Sequence, residues 1–272
     1  MKPKHRSRAR IWLGSYYFKL KRYLKWYFGK AKFAKQFDYV LQRYSVFKHQ
    51  TPILRKLKDV DMWLQHNKKT NLTIAAKRVD GLILNPGETF SYWRLIGNPT
   101  KRKGYVEGMI LFYGGFKPGI GGGLCQLSNL IYWITLHTPL KVTERHRHSY
   151  DVFPDANRTQ PFGSGATCAY NYLDLQIYNP TDQPYQLIIN MDSEHLTGEW
   201  RTVKPPVNTY EIYEKDHKIT QESWGGYLRF NTIFRRILNL DGDVLSDEYI
   251  TENKALMMYQ PFLEDGTRGQ ES

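Results

Sequence analysis

No stretch of this sequence stays apolar for the roughly 20 residues that a bilayer-spanning helix needs, so no transmembrane segment is read from it. The amino-terminal end also lacks the apolar run and small-residue cleavage site of a secretory leader. These two absences point to a cytoplasmic or membrane-peripheral chain. Cysteine is scarce as well, with Cys125 and Cys168 the two in 272 residues. Two thiols make no disulfide framework. The C-x-x-C and H-E-x-x-H spacings are missing, which removes the usual sequence grounds for a zinc centre, and no motif implies a cofactor. Acids are scarce beside bases at the amino-terminal end. Residues 1–58 carry 17 Lys and Arg against the single acid Asp38, a net +16, while the remaining residues carry 22 basic against 25 acidic side chains, a net −3. A body without basic excess excludes a broad nucleic-acid face and leaves a basic arm instead.

What is present is enough to bury a core, with 41% hydrophobic and 15% aromatic residues, which fits one or two globular domains. Within the arm, residues 1–37 interleave Lys and Arg with Trp, Tyr, Phe and Leu at helical spacing. That pattern suits an anionic membrane surface; the alternative is a solvated amphipathic helix docked on the body. The organisation read from the sequence is a helical arm over 1–58, a core domain over 59–204 and a C-terminal β-hairpin extension over 205–272.

Along the chain, 40–54 and 71–84 read as partly helical, the second stopping at Gly81. Thr89–Trp93 suits a strand or a short helix, and the stretch around Gly114 and Gly115 reads as a hairpin. From Cys125, the apolar residues Leu127, Leu130, Ile131, Ile134 and Leu136 predict a buried helix ending near Pro139. A strand leading into a loop over 140–154, strands on both sides of the Pro180 to Pro184 turn, and a hairpin about Asp241-Gly242-Asp243 follow. Helices first and mainly antiparallel strands later give an α+β fold, with a glycine loop and a cysteine-bearing buried helix packed on the sheet.

Four glycines, Gly119, Gly121, Gly122 and Gly123, fall in the five residues after Pro118 and end against Cys125. Glycine loses more backbone entropy on folding than other residues, so such a cluster marks close approach or positive φ. A thiol opening a helix meets unpaired N–H groups and the positive end of the dipole, which favour the thiolate. The same N–H groups, near Gly123 to Gln126, are candidates for an oxyanion hole. About twenty residues on, "ERHRHS" supplies His146 and His148, either of which is a candidate base; on a strand both imidazoles share a face. Asp174 is the candidate orienting acceptor. Cys125, His146 and His148 together are also a candidate open zinc site.

The blocks "LNPGETFSYWRLIG", "PGIGGGLCQLSNLIYW", "ERHRHS" and "YLDLQIYNPTDQPYQL", in this order, resemble the core of VanW-type proteins over about residues 70–190. The resemblance implies a cell-envelope role linked to vancomycin resistance and peptidoglycan. It further implies an L,D-transpeptidase-like site acting on stem peptides or their precursors, with Cys125 as nucleophile and His146 or His148 as base. Gly121, Gly122, Gly123, Gln126, Arg145 and Ser149 then line the substrate site. Gly165 stands where the family commonly carries an Asp, which leaves Asp174 to orient the base. The competing readings are a stem-peptide or glycopeptide binding module without turnover, and a zinc hydrolase.

Overall fold

The computed structural model describes residues 7–54, 61–153 and 160–261. The first six residues of the expected arm, its boundary at residue 58 and the end of the C-terminal extension lie outside the described residues. Ser7 caps the first helix, α1 (Arg8–Phe28), by accepting from the Arg10 N–H, as a serine N-cap should. The other helices are α2 (Met62–Ala76), the single-turn α3 (Tyr92–Ile96) and α4 (Cys125–Leu136).

Two sheets build the core. One runs β1 (Lys32–Phe33), β5 (Glu88–Ser91), β10 (Gln176–Tyr178) and β8 (Lys141–Glu144). The other runs β2 (Gln36–Phe37), β4 (Leu82–Leu84), β11 (Tyr185–Met191), β12 (His195–Thr202) and β3 (Tyr44–Pro52), with every pairing antiparallel. Segment 40–54, expected to be partly helical, therefore holds the edge strand β3. The register between β3 and β12 slips at Trp200 and Arg201, so that Val46 is inserted and the apolar Val46-Phe47 pair breaks the period of two. Residues 32–52 supply β1, β2 and β3 to the core sheets rather than standing apart in an arm. The expected turn between Pro180 and Pro184 joins β10 to β11, which belong to different sheets.

Helix α4 lies on the inner face of β12. Leu196, Gly198, Trp200 and Thr202 alternate inward on that strand, as a half-buried strand requires. Gly198 leaves room for Leu130 and Ile134 of α4, and Trp200 donates its indole N–H to Thr135 Oγ1 at 3.0 Å. Leu127, Leu130, Ile131, Ile134 and Leu136 are all buried, as their spacing predicts. Each such aliphatic side chain contributes about 1.5–3 kcal/mol relative to exposure.

The expected hairpin at Gly114 forms from β6 (Glu107–Phe112) and β7 (Gly115–Ile120). The C-terminal sheet runs β13 (Thr209–Gln221), β14 (Tyr227–Leu238), β15 (Val244–Met257) and the short parallel β9 (Tyr150–Asp151). It grips the far end of α4, where the buried Arg235 donates to the carbonyls of Leu136 (3.3 Å) and Thr138 (2.9 Å). A cation there also meets the negative end of the helix dipole.

Candidate functional site

The glycine loop is shaped by what it touches. Gly122 lies against Gly108 backbone to backbone, so a methyl group on either would strike the other's carbonyl. Buried Asn71 fixes the arrangement by donating to the carbonyls of Val106 (3.0 Å) and Gly122 (2.9 Å) and accepting from the Val106 N–H (2.9 Å). Gly123, at φ +89°, turns the chain toward α4 against the buried Lys68 stem. Sequence alone carried no signal for Asn71, since the buried face of α2 also holds the polar Gln65 and Lys68.

Cys125 is the first residue of α4. The Gln126 and Leu127 N–H groups fold back onto the carbonyls of Gly123 and Leu124, both at 3.1 Å. The N–H groups of Gly123 and Leu124 have no acceptor among the described residues, which leaves them as the oxyanion-hole candidates. The residue keeps partial exposure, yet its sulfur is packed tightly enough that burial pushes the thiol pKa up, against the opposing pull of the Cys168 backbone and its own N–H. The thiol donates to the Cys168 carbonyl at 3.6 Å. Desolvation thus outweighs the helix terminus, and the resting sulfur is a thiol rather than the expected thiolate. Cys168 itself is buried, and burial followed by the nearby Cys125 holds its pKa higher still.

Segment 163–168 is held between the first turn of α4 and the Arg145-His146 backbone. Ser128 Oγ donates to the Ala166 carbonyl (2.7 Å) and Asn129 Oδ1 accepts from the Ala166 N–H (2.8 Å), binding it to the first turn of α4. Gly165 packs against the Asn129 amide, where a side chain would clash. From the other side Arg145 donates to the carbonyls of Gly165 (2.9 Å) and Gly163, and its guanidinium lies over Tyr132. The Thr167 N–H donates to the His146 carbonyl at 2.8 Å.

Strand β8 stops at Glu144, so His146 and His148 lie beyond it and no strand sets both rings on one face. His146 Nε2 sits 3.2 Å from Glu144 Oε1. His148 instead lines a small hollow of about 50 Å³ with Tyr113, Gly114 and Tyr150, and burial lowers its pKa. Neither ring hydrogen-bonds to Cys125 among the described residues.

The acceptor behind His146 is Glu144, the first residue of the ERHRHS motif. Arg22 of α1 grips it with both terminal nitrogens, Nη1 at 2.8 Å, and Lys25 Nζ adds a contact at 3.0 Å. Burial pushes the Glu144 carboxyl up, but the hydrogen bonds from Arg22, His146 and Lys25 outweigh it and hold the group well below the usual carboxylate range.

Asp174 is fully buried just before β10 and bonds to neither imidazole. It accepts from Ser91 Oγ (2.5 Å), Gln176 Nε2 (3.1 Å) and the N–H groups of Trp93 and Leu175 (both 3.0 Å), with Arg22 Nη1 at 3.8 Å. Burial pushes its pKa up despite these donors. Its work is to join β5, α3 and β10, and Ser91 continues the chain by accepting from the Trp26 indole of α1 at 3.1 Å.

Among the proposed substrate contacts, Gln126 is committed to Thr51 Oγ1 (3.0 Å) and the Pro52 carbonyl (2.9 Å), and Arg145 to the clamp above. Ser149 is exposed, its carbonyl accepting from Leu256. Among the described residues no three of His, Cys, Asp and Glu gather as a metal site, so Cys125, His146 and His148 do not form the candidate zinc centre.

The comparisons with known proteins fall on the same residues. The family model described as VanW like protein matches residues 67–201, which contain the glycine loop, Cys125, the Glu144–His148 run and Asp174. The Vancomycin B-type resistance protein VanW of Enterococcus faecalis (strain ATCC 700802 / V583) is 34% identical over 217 residues, covering 79% of this chain and 78% of that protein. The Uncharacterized protein YoaR of Bacillus subtilis (strain 168) is 30% identical over 118 residues, 43% of this chain and 37% of its own length. No solved structure gives a significant match. With the expected motifs in place on the folded chain and the likeness running through most of its length, the chain belongs to the VanW family.

Proposed function

We propose that this VanW-family chain is a cysteine-dependent acyl transferase acting on peptidoglycan stem peptides, and that it takes part in vancomycin resistance, as its Enterococcus relative's name states for that protein. The observation that carries the reading is Cys125, a partly exposed thiol opening α4 directly after two N–H groups that have no acceptor among the described residues. In the reaction the sulfur attacks the carbonyl between the third residue of the stem and its terminal D-residue. The N–H groups of Gly123 and Leu124 take up the oxyanion. The thiol proton passes to His146 and then to the departing amine, leaving a thioester that an amine or water resolves. Glu144, held ionised by Arg22, supports the protonated imidazole. Because the resting thiol is protonated and bonded to the Cys168 carbonyl, substrate has to displace that bond and bring the ring and sulfur together; apo sites often tighten only in the complex.

The binding-module reading is favoured by one specific observation, the raised thiol pKa with no imidazole bonded to the sulfur. Mass spectrometry of the chain after incubation with a tetrapeptide stem separates the two. Acyl transfer gives an adduct on Cys125, lost in Cys125→Ser, with buried Cys168 unmodified. Saturable peptide binding with no adduct at any pH establishes the module instead.

A further inference from the structure

Helix α1 presents two faces. Inward, Arg22 and Trp26 are buried and tied to Glu144 and Ser91. At about 100° per residue, Leu13, Tyr16, Tyr17, Leu20, Leu24 and Tyr27 fall on the opposite side. All six are exposed, Tyr27 at 67% and Leu13 at 60%, and Phe28 just beyond reaches 83%. Scattered apolar residues on a surface need no explanation, but a continuous stripe along a 21-residue helix does. The stripe is flanked along one edge by Arg10 and Lys21, and residues 1–37 contain no acid.

That charge selects the occupant. A second copy of the chain would set one +16 segment against another, whereas an anionic lipid surface accepts the apolar stripe and the basic edges together. No helix among the described residues is long and apolar enough to cross a membrane, and α1, with Trp, Tyr, Leu and Lys interleaved, has the composition of one that lies flat in the interface. We propose that the outward face of α1 docks the protein on an anionic bilayer while its inward face, through Arg22, holds the Glu144–His146 pair.

Glu144 then sits one helix diameter, about 10 Å, from the lipid. That distance favours a lipid-linked stem peptide over a soluble one. This last step rests on the acyl-transfer reading above, whereas the docking does not, so the two fail separately.

The test uses the full chain and co-sedimentation with phosphatidylcholine vesicles, with or without about a third phosphatidylglycerol. Docking predicts binding to the anionic vesicles that weakens at least about tenfold in high salt and is nearly lost on pure phosphatidylcholine. Leu20→Glu with Leu24→Glu, which point away from the body, should cost at least about tenfold in vesicle binding while the melting temperature and circular dichroism stay unchanged. Wild-type protein that stays in the supernatant, or a double variant that binds as tightly as wild type, overturns the proposal. So does a dimer seen by light scattering that the double variant dissolves while vesicles bind neither protein.

Discussion

Arg22→Ala removes a guanidinium that donates to Glu144 through both terminal nitrogens, to the carbonyls of Asn171 (3.3 Å) and Tyr172 (3.0 Å), and lies 3.8 Å from Asp174. Arg22 is 7% exposed, Glu144 14% and Asp174 0%, so the substitution leaves two carboxylates short of a cation in a dry place. Breaking a buried pair from one side costs about 3–5 kcal/mol. Glu144 keeps Lys25, His146 and the Asp174 N–H, which puts the cost at the lower end, about 3 kcal/mol, or about 5–6 °C in melting temperature at this chain length. Lys25→Ala is the internal control. It meets the same carboxylate but is half exposed, and surface pairs contribute about 0–1 kcal/mol. Folding depresses the Glu144 carboxyl, so its contribution is complete above the unfolded value of 4.5 and drains away as the pH falls toward the lower folded value. Thermal denaturation of the three proteins at pH 7 and at pH 4 measures both effects. Equal losses in the two variants, or an Arg22→Ala loss under about 1 kcal/mol, would refute the view that α1 is fastened to the body by this pair.

Two further outcomes follow from the packing. Gly122→Ala drives a methyl into the Gly108 backbone and should cost at least about 2 kcal/mol in chemical denaturation, whereas Gly14→Ala, on an open helix surface, should stabilise by about 0.5–1 kcal/mol. His137 is buried, stacked 3.7 Å from Phe47 and bonded through Nδ1 to the Tyr210 carbonyl; burial lowers its pKa to about 4 from 6.5. A depressed histidine holds its stabilisation above pH 6.5 and loses it on the way down to pH 4, so His137→Gln should flatten the fall in melting temperature across that window, and an unchanged slope would assign it elsewhere.

What the sequence made legible was local. The Cys125 helix, the Gly114 hairpin and the Asp241-Gly242-Asp243 turn carry their signals within a few residues, and each formed at the expected place. The alternation of strand β3 is hidden by a bulge at Val46, and its ladder partners, the residues of β12, lie about 150 positions downstream. The site failed in the same way. Asp174 looked free to orient a base, but four donors from β5, α3, β10 and the Leu175 backbone use it up, while the carboxylate that meets His146 is Glu144, placed by an arginine 122 positions earlier. Nor does a helix N-terminus guarantee a thiolate, since close packing around the sulfur reverses the sign.

The grip of Arg235 on the end of α4 has a practical outcome for anyone trimming this protein to its recognisable segment. A polypeptide ending at residue 204 would strand the Leu136 and Thr138 carbonyls without their donor, strip the Tyr210 acceptor from His137 and uncover the Arg145 clamp that reaches Thr251 and Asn253. The span matched by the family model therefore leaves out side chains that complete the end of α4, and the last sheet belongs in any version made for chemistry at Cys125.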